Sequence, residues 1–469
     1  MTPRVAVVGA GITGLTAAYR LVRREDAPDV VVLEADGRVG GKIASADVGG
    51  LVLEAGPDSM LARKPAAVAL VRELGLGDHL VAASTSRTHL WSERGLIAFP
   101  PGPFGIPSDA RDLWSWEGLS RRGRVRALAD LWRRARQDDR DESLGSLLRR
   151  RLGDEATDAL VAPLLGGLFA GDVDGLSVRA TFPELGAWER DQGSLLRGAR
   201  AATAGAGATA VPRAPMFVRV RGGLERVTQA LADAIGPDHV RTRAPAAAVS
   251  ATGGGFVVST PGEEVEADAV IVTTPASLAA ELVRPVSPVA AEELGRIPFV
   301  STAVVLLVYG EGTNDALPNS SGFVVPRGRL AMTACTLVSR KWPDPAFDSR
   351  AVLRCFVGAA GVEDILDASD DDIVEGVSRQ LAALLPLPDR PESAAVVRWP
   401  SAMPQYEVGH LDRLERIEAA LPAGVFLAGQ SYRGAGIADA VRQATRAAAA
   451  AGAFLSGAGA HDFEGERVR

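Results

Sequence analysis

The sequence predicts an α/β protein built around a parallel β-sheet of the Rossmann-like type. A short apolar strand, Arg4 to Val8, leads into a glycine-rich turn, an amphipathic helix and a second apolar strand, Val30 to Leu33. This order is typical of two parallel strands joined by a crossover helix. Because the 469 residues exceed the roughly 100 to 200 of an ordinary domain, we expect two or three domains.

The glycine-rich turn matches a dinucleotide-binding fingerprint, and it reads Gly9-Ala10-Gly11-Ile12-Thr13-Gly14. Gly9 allows the tight turn, Gly11 lets the backbone approach a pyrophosphate, and Gly14 lets the helix pack closely on the strand. Glu34, followed by Ala35, ends the second strand twenty residues after Gly14. A carboxylate there accepts hydrogen bonds from ribose hydroxyls and repels a 2′-phosphate, so the site is predicted to disfavour NADP.

Composition and charge exclude several classes of protein. Hydrophobic residues make up 47% of the chain and charged residues 23%, which argues against disorder and fibrous folds. The formal net charge of −7 makes nucleic acid an improbable partner, since no global positive field would collect phosphates. Cys335 and Cys355 lack CxxC spacing and the five histidines are scattered, so we expect neither disulfides nor a metal site.

The N-terminus and the hydropathy pattern predict a cytoplasmic protein. There is no signal-peptide pattern, and no run reaches the roughly 18 apolar residues that span a bilayer. Between Arg111 and Arg151, however, twelve arginines against seven acids leave an excess of five positive charges. The stretch Arg121 to Arg136, with Leu128, Leu131 and Trp132, is consistent with peripheral contact with the inner face of the membrane. A solvated helix that packs on its own domain is at least an equal alternative.

Further apolar runs predict a mixed sheet later in the chain, namely Phe217 to Val220, Ala269 to Thr273, Thr302 to Val308, Gly322 to Val325 and Val352 to Val357. The triplet of glycines at 253–255 lies between the strand-like runs Ala246 to Val249 and Phe256 to Val258, and it predicts a hairpin turn. No second nucleotide-binding turn is found, so we expect no nicotinamide domain. Electrons would then enter the cofactor from an organic substrate and leave to an acceptor such as O2.

Two other segments indicate how the domains are arranged along the chain. Ala199 to Ala214 is almost entirely Ala, Gly, Thr and Pro, which predicts a linker or extended loop. Val425 to Leu427 predicts a strand, and a glycine-rich loop after it leads into a helix from Ala438. The chain is therefore expected to return to its first domain, where a second helix N-terminus can stabilise negative charge on a bound cofactor.

The residues after Glu34 resemble a motif of the two-dinucleotide flavoprotein superfamily. They read Arg38-Val39-Gly40-Gly41-Lys42, like its R-x-G-G motif, and Gly56-Pro57-Asp58-Ser59 continues the resemblance. The resemblance implies FAD, with the first motif near the flavin and its phosphates and the second as a rigid turn at the flavin ring. A surface turn carrying two cations is the alternative for the first motif. No cysteine follows Cys355, which argues against a covalent C-terminal flavin link, so we expect noncovalent FAD.

Several longer blocks resemble the protoporphyrinogen and coproporphyrinogen oxidases. These blocks are Ala162 to Ser177 with Thr181 to Glu184, Arg221 to Leu224, Ala334-Cys335-Thr336 with Lys341-Trp342-Pro343, and Trp399 to Tyr406 with Gly409-His410. The resemblance covers nearly the whole chain. Pro100-Pro101-Gly102 with Gly105-Ile106-Pro107 is closer to the bacterial coproporphyrinogen III oxidases than to the mitochondrial and plastid enzymes.

That resemblance implies three domains. A discontinuous FAD-binding domain would comprise residues 1–80, 216–285 and 420–462, a substrate-binding domain 81–107 and 286–419, and a helical, membrane-binding-like domain 108–215 with the Ala/Gly-rich loop. It also implies an enzyme of haem biosynthesis that oxidises coproporphyrinogen III to coproporphyrin III, a six-electron reaction with three O2 becoming three H2O2. A ferrochelatase would be the partner for product hand-off. The flavin carries the redox chemistry, so no residue is assigned as a general base.

The resemblance assigns site residues one by one. Cofactor contacts are expected at Gly9, Gly11, Gly14, Glu34, Gly40, Gly41, Gly56, Pro57, Asp58, Ser59, Trp399, Gln430, Gly436 and Ile437, and at Ala246, where the family usually has valine. Substrate contacts are expected at Gly167, Met332, Ala334 and Arg87, although a solvated surface arginine is the alternative for Arg87. Because coproporphyrinogen carries four propionates, Lys42, Arg63 and Lys64 are further candidate substrate-binding cations.

Alternative functions remain open at the level of sequence. Protoporphyrinogen IX oxidation is the nearest alternative, and a flavin amine oxidase or carotenoid desaturase is more distant. A flavoprotein that binds porphyrin without oxidising it is an alternative from a different class. A fluorescence increase on adding porphyrinogen under air would separate an enzyme from such a carrier.

Overall fold

The computed structural model describes residues 2–207 and 215–457. The strands are β1 Arg4–Val8, β2 Asp29–Leu33, β3 Ser45–Val48, β4 Leu51–Glu54, β5 Met60–Leu61, β6 Leu80–Ala82, β7 Thr88–Ser92, β8 Gly95–Ala98, β9 Phe217–Val220, β10 Val240–Arg241, β11 Ala248–Ala251, β12 Phe256–Ser259, β13 Glu264–Ala267, β14 Ala269–Val272, β15 Phe299–Val308, β16 Gly322–Val324, β17 Met332–Leu337, β18 Val352–Val357, β19 Ser393–Pro404 and β20 Val425–Leu427. The helices are α1 Ile12–Val22, α2 Pro65–Glu73, α3 Ala110–Ser115, α4 Arg121–Leu128, α5 Leu144–Leu152, α6 Asp154–Ala156, α7 Ala162–Gly167, α8 Val178–Thr181, α9 Pro183–Gln192, α10 Leu195–Gly207, α11 Glu225–Ile235, α12 Ala276–Val283, α13 Pro288–Gly295, α14 Val338–Lys341, α15 Asp370–Leu384, α16 His410–Ala420 and α17 Ile437–Leu455.

A parallel sheet of five strands, in the order β10-β2-β1-β14-β20, organises the first part of the structure. Val5 of β1 lies opposite Val30 of β2 and Ala269 of β14. Helices α1, α2, α11 and α17 cover one face, and strands β11–β13 with helices α12, α13 and α16 cover the other. Burial on both faces explains why these strands are continuous apolar runs. The predicted α/β class with a Rossmann-like sheet is confirmed.

The predicted glycine hairpin is also confirmed, with one correction to its boundary. Strands β11 and β12 pair in antiparallel fashion, and the Thr252 N–H closes the turn on the Gly255 carbonyl at 2.9 Å. Strand β11 begins at Ala248 rather than at Ala246. The residues before it lie along the end of β2 instead, since the Ala244 N–H donates to the Glu34 carbonyl at 2.8 Å.

A mixed sheet of seven strands forms a second layer, in the order β19-β15-β18-β17-β16-β7-β8. All its neighbours are antiparallel except β16 and β7. The predicted strands between Thr302 and Val357 therefore belong to one sheet. The prediction is wrong for the other two runs, because β9 pairs with β5 and β6 and β14 belongs to the parallel sheet. The division of the chain into three domains stays a prediction.

Helices α3–α10 enclose a separate apolar core. Arg151 and Asp130 form a fully buried ion pair there, with 2.5 Å between Nε and Oδ1. The prediction of a loop over Ala199 to Ala214 is wrong for its first part, because Leu195–Gly207 is a helix and Ala199 is buried in this core. Alanine has the highest intrinsic helix propensity, so an Ala-rich run with apolar contacts favours a helix. Residues 208–214 lie outside the described residues.

The basic stretch after α3 combines internal and exposed side chains. Leu128 and Leu131 pack against the helical core, whereas Trp132 is 77% exposed. Arg126 donates to the last carbonyls of α5, those of residues 149–151. Across residues 2–207 and 215–457, no helix combines the length and the apolar character needed to cross a membrane. Peripheral membrane contact stays a prediction.

Candidate cofactor and substrate site

The first glycine turn presents an open helix N-terminus. Helix α1 has Gly11 as its N-cap, with no side-chain cap and no acidic residue in its first turn. A Cβ atom added at Gly11 would meet no atom within 4 Å. The first N–H groups of a helix have no partner within the helix, and the space beside Gly11 is open, so the turn fits the pyrophosphate of a dinucleotide. Ile12 and Thr13 supply the next two N–H groups of this terminus.

Gly9 and Gly14 let the helix lie directly against the strand. Gly9 has a φ of +102°, in the region that favours glycine. A Cβ atom at Gly14 would lie 1.8 Å from the Gly9 carbonyl oxygen. Glu34 is buried beside this turn, and its carboxylate accepts hydrogen bonds from the N–H groups of Ala10 at 2.7 Å and Asp36 at 2.9 Å. The carboxylate is thereby held at the end of β2, where the fingerprint places it.

The R-x-G-G motif lies on top of the first glycine turn. The Gly40 N–H donates to the Ala10 carbonyl at 2.8 Å, and a Cβ atom at Gly41 would lie 3.2 Å from the Gly11 Cα. Arg38 donates to the carbonyls of Gly41 at 2.7 Å and Ile43 at 3.1 Å, so its guanidinium holds the turn of its own motif. Ala35, beside Glu34, is exposed at the rim of this arrangement.

The turn from Gly56 to Ser59 is fastened to the mixed sheet by Asp58. The Asp58 carboxylate lies 3.0 Å from Lys341 Nζ and 3.8 Å from Arg354 Nη1, and it also accepts a hydrogen bond from Ser59 Oγ at 2.8 Å. Burial alone would raise the pKa of Asp58, but these cations and hydrogen bonds outweigh burial and hold the pKa well below its usual value. Sequence reasoning missed Lys341 and Arg354 as partners, since they come from distant parts of the chain.

Two more predicted cofactor residues reach this region from the C-terminal third. Trp399 donates from Nε1 to the Ala55 carbonyl at 2.9 Å, directly before the Gly56 turn. Lys42 Nζ donates to Gln430 Oε1 at 3.2 Å and to the Ala402 carbonyl at 2.6 Å. Burial lowers the pKa of Lys42 to about 8. The structure therefore brings the N-terminal and C-terminal motifs together.

The start of helix α17 is more crowded than the start of α1. Gly436 is its N-cap, without a side-chain cap, and Ile437 is its first residue. Asp439 lies in the first turn and pairs with Lys64 at 2.7 Å and Arg442 at 2.8 Å. Lys64, predicted to bind substrate, is thus engaged with a carboxylate of the chain itself.

An open cavity of about 1060 Å³ lies between the helical part and the mixed sheet. Its walls come from hairpin β7–β8, residues 117–121 with Arg124, helix α7 with the loop after it, and residues 325–327 with Arg329. Gly167 is exposed on its wall, and a Cβ atom there would meet no atom within 4 Å. Thr333 also lines the cavity, whereas its neighbour Met332 is buried in the sheet core and Ala334 is half-buried.

The cations predicted to bind substrate lie elsewhere. Arg87, Arg63, Lys64 and Lys42 are not among the described residues that line the cavity. Arg87 precedes β7 and is exposed, and Arg63 lies over the Phe104 ring at 5.4 Å from its centroid. Ala246 is half-buried beside the Glu34 segment. The roles proposed for these residues stay predictions.

The cavity wall is joined to the cofactor motifs by two side chains. Gln405 donates from Nε2 to the Phe169 carbonyl at 2.9 Å. The neighbouring Tyr406 packs on the Phe169 ring and donates from its hydroxyl to the Gln430 carbonyl. A chain of contacts therefore links the loop after helix α7 to the loop that carries Gln430. Over the described ranges, no cluster of three or more His, Cys, Asp or Glu side chains is arranged to hold a metal ion.

The ionisation of Glu54 is expected to make the stability of the fold depend on pH. Its Oε1 accepts the Leu224 N–H at 2.7 Å, and its buried Oε2 has no hydrogen-bond partner among the described residues. Burial raises the pKa of Glu54 from 4.5 to about 7, against the Leu224 hydrogen bond and the Arg354 charge. The folded state then keeps a proton that the unfolded chain releases, so this group's stabilisation is complete below pH 4.5 and is lost as pH rises towards about 7.

Glu54→Gln is expected to remove this loss, because glutamine does not ionise. At pH 8 the variant should gain about 1 kcal/mol or more in unfolding free energy relative to wild type, and less at pH 5. Urea unfolding at both pH values measures the difference. Glu264→Gln, at an exposed position of β13, is the matched control. An equal difference at the two pH values would contradict the prediction.

Fold and site together define a flavin-dependent oxidoreductase. The model of the flavin containing amine oxidoreductase family matches residues 12–451, so the chain belongs to that family and a flavin is its cofactor. Within it, the chain belongs with the coproporphyrinogen III oxidases. It is 34% identical over 464 residues to the coproporphyrinogen III oxidase of Bacillus subtilis, covering 96% of this chain and 98% of that protein. The Staphylococcus aureus coproporphyrinogen III oxidase is 32% identical, with the same coverage.

Two further comparisons fit this placement. The chloroplast protoporphyrinogen oxidase 1 of Arabidopsis thaliana is 29% identical, covering 97% of this chain and 89% of that protein. A crystal structure of a provisionally named protoporphyrinogen oxidase from Exiguobacterium sp. 255-15 superposes with a TM-score of 0.86 at 31% identity, covering 97% and 99% of the two chains. Reduced UDP-galactopyranose mutase, at 16% identity and a TM-score of 0.72, shares the fold alone.

Proposed function

We propose that this protein is an oxygen-dependent coproporphyrinogen III oxidase with noncovalent FAD. The observation that carries the proposal is the open cavity of about 1060 Å³, whose wall is linked to the cofactor motifs through Gln405 and Tyr406. It occurs in a chain whose relatives named coproporphyrinogen III oxidase align over nearly its full length. FAD would supply the redox chemistry by accepting two electrons from the substrate in each of three rounds.

The chain's own residues would bind and orient the cofactor and the substrate. The N–H groups at Gly11, Ile12 and Thr13 would bind the pyrophosphate, and Glu34 would bind a ribose. The motifs around Gly41 and Gly56 would hold the flavin and its phosphates. The open wall at Gly167 would let the tetrapyrrole macrocycle lie against the backbone, which would position its reacting carbons without a dedicated base.

The reaction balances without any further protein group. Coproporphyrinogen III loses six electrons and six protons and becomes coproporphyrin III, while three O2 are reduced to three H2O2. Pyrrole N–H protons can leave to water. Each step therefore requires only a positioned substrate, the cofactor and oxygen.

Anaerobic stopped-flow spectroscopy tests the proposal. Coproporphyrinogen III should bleach the flavin absorbance without oxygen, and air should restore it while coproporphyrin fluorescence rises. NADPH should not reduce the flavin at a comparable rate. A protein that binds the porphyrin but never bleaches would be a carrier, and one that reacts faster with protoporphyrinogen IX would be a protoporphyrinogen oxidase, the function that the Arabidopsis relative favours.

A further inference from the structure

Six arginines line the cavity, and two of them are neutralised by the chain itself. Arg327 pairs with Asp172 at 2.6 Å. Arg149 pairs with Asp158 at 2.8 Å and with Asp174 at 3.1 Å. These two guanidinium groups are therefore already occupied by carboxylates.

The other four arginines are unpaired or only weakly paired with carboxylates of the chain. Arg94, Arg121 and Arg124 make no ion pair within the described part of the chain, and Arg329 approaches only the exposed Glu93, at 3.8 Å. The Arg124 Nε is buried and has no hydrogen-bond partner there. A buried donor without a partner costs free energy unless a ligand satisfies it. The cavity carries two unpaired or weakly paired carboxylates, Glu93 and Glu117, against these four cations.

Helix α4 holds two of these arginines in a fixed position. Ser120 caps the helix by accepting the Gly123 N–H at 3.0 Å, and its hydroxyl donates to Glu155 at 2.7 Å. Arg121 and Arg124 are three residues apart, so they lie on the same face of the helix. That face is the one that lines the cavity, whereas Arg122 is exposed and does not line it.

We propose that Arg121 and Arg124, together with Arg94 in the β7–β8 hairpin, bind carboxylates of the substrate and set a preference for a tetracarboxylate over a dicarboxylate porphyrinogen. This inference rests on the proposed function. Coproporphyrinogen has four propionates and protoporphyrinogen two, so only the former needs cations from several elements. A guanidinium suits this role because it binds carboxylates in a bidentate, planar geometry.

The proposed role of Arg121 and Arg124 differs from the membrane contact that the sequence suggested for the stretch that contains them. Arg124 is half-buried on the cavity wall and Arg121 is exposed at it, so a ligand inside the cavity can contact both guanidinium groups. The cavity position therefore favours a small carboxylate ligand over a membrane.

The test uses the double variant Arg121→Gln/Arg124→Gln as holoprotein, with Arg122→Gln on the same helix as the matched control. Equilibrium binding of coproporphyrin III and protoporphyrin IX, followed by tryptophan fluorescence, avoids dependence on turnover. The affinity of the double variant for coproporphyrin III should fall about tenfold to a hundredfold. Its affinity for protoporphyrin IX should fall no more than about threefold. Flavin content and melting temperature, unchanged in both variants, show that the fold is intact.

Each alternative result has a defined meaning. Unchanged coproporphyrin affinity, or an equal loss for both porphyrins, would overturn the inference. Loss of binding to phosphatidylserine vesicles with porphyrin affinity retained would overturn it in favour of a lipid site. Restored coproporphyrin affinity in Arg121→Lys/Arg124→Lys would support it. If wild type binds coproporphyrin through these arginines but porphyrinogen never bleaches its flavin, the proposed function fails while the binding site stands.

Discussion

Replacing Gly11 by valine is expected to give a folded protein with no more than about one tenth of the wild-type flavin content, because the side chain fills the space a pyrophosphate needs. The Cβ atom of the new residue would meet no atom within 4 Å, and the backbone at Gly11 is extended, so the protein itself accommodates it. Absorbance at about 450 nm, where flavin absorbs, measures the flavin content of the protein after reconstitution with FAD.

Gly14→Ala separates this effect from simple misfolding. Its Cβ atom would lie 1.8 Å from the Gly9 carbonyl oxygen, so helix α1 must move off the sheet. That variant should lose flavin and also melt at a lower temperature, whereas Gly11→Val should keep the stability of the wild-type apoprotein. A Gly11→Val protein that purifies with full flavin content would refute the assignment of this turn to the cofactor.

Replacing Gly167 by phenylalanine is expected to lower kcat/KM for porphyrinogen by about a hundredfold or more while flavin content stays unchanged. Gly167 is exposed on the cavity wall with open space before it, so the ring should occupy the volume that the macrocycle needs. Steady-state kinetics measures the loss, and dithionite reduction of the flavin shows that the cofactor remains reactive.

Gly376→Phe is the matched control for this variant. Gly376 lies in helix α15, away from the cavity, and a Cβ atom there also meets no atom within 4 Å. It should keep wild-type kinetics. If Gly167→Phe did so as well, the substrate would have to bind outside this cavity.

The cofactor motifs could be predicted from the sequence because their contacts are local. Gly9 and Gly14 touch across a single turn, and Glu34 lies one strand further along the chain. Strand, turn and helix are short-range features that composition and spacing encode directly. The parallel sheet follows from the same features, since a crossover helix requires two parallel strands.

The substrate cavity could not be predicted in the same way. Its walls combine a hairpin near residue 92, helix α7 and a loop near residue 327, which only the tertiary fold brings together. Lys64 shows the difficulty, because its partner Asp439 is 375 residues away. Arg121 and Arg124 show it too, since a basic helix face has the same periodicity whether it meets lipid, water or a bound carboxylate.

The position of β20 has a consequence for the order of events during synthesis. This strand, Val425–Leu427, adds to the edge of β14, and the loop that follows it brings Gln430 to Lys42. A nascent chain therefore exposes one edge of its parallel sheet until residues 425–427 have been synthesised. Strand pairing that is late and joins residues distant in sequence forms slowly. Until it forms, the unpaired edge of β14 can pair with strands of other chains. Gln430 reaches Lys42 only after β20 has paired, so the C-terminal side of the cofactor site is completed late in folding.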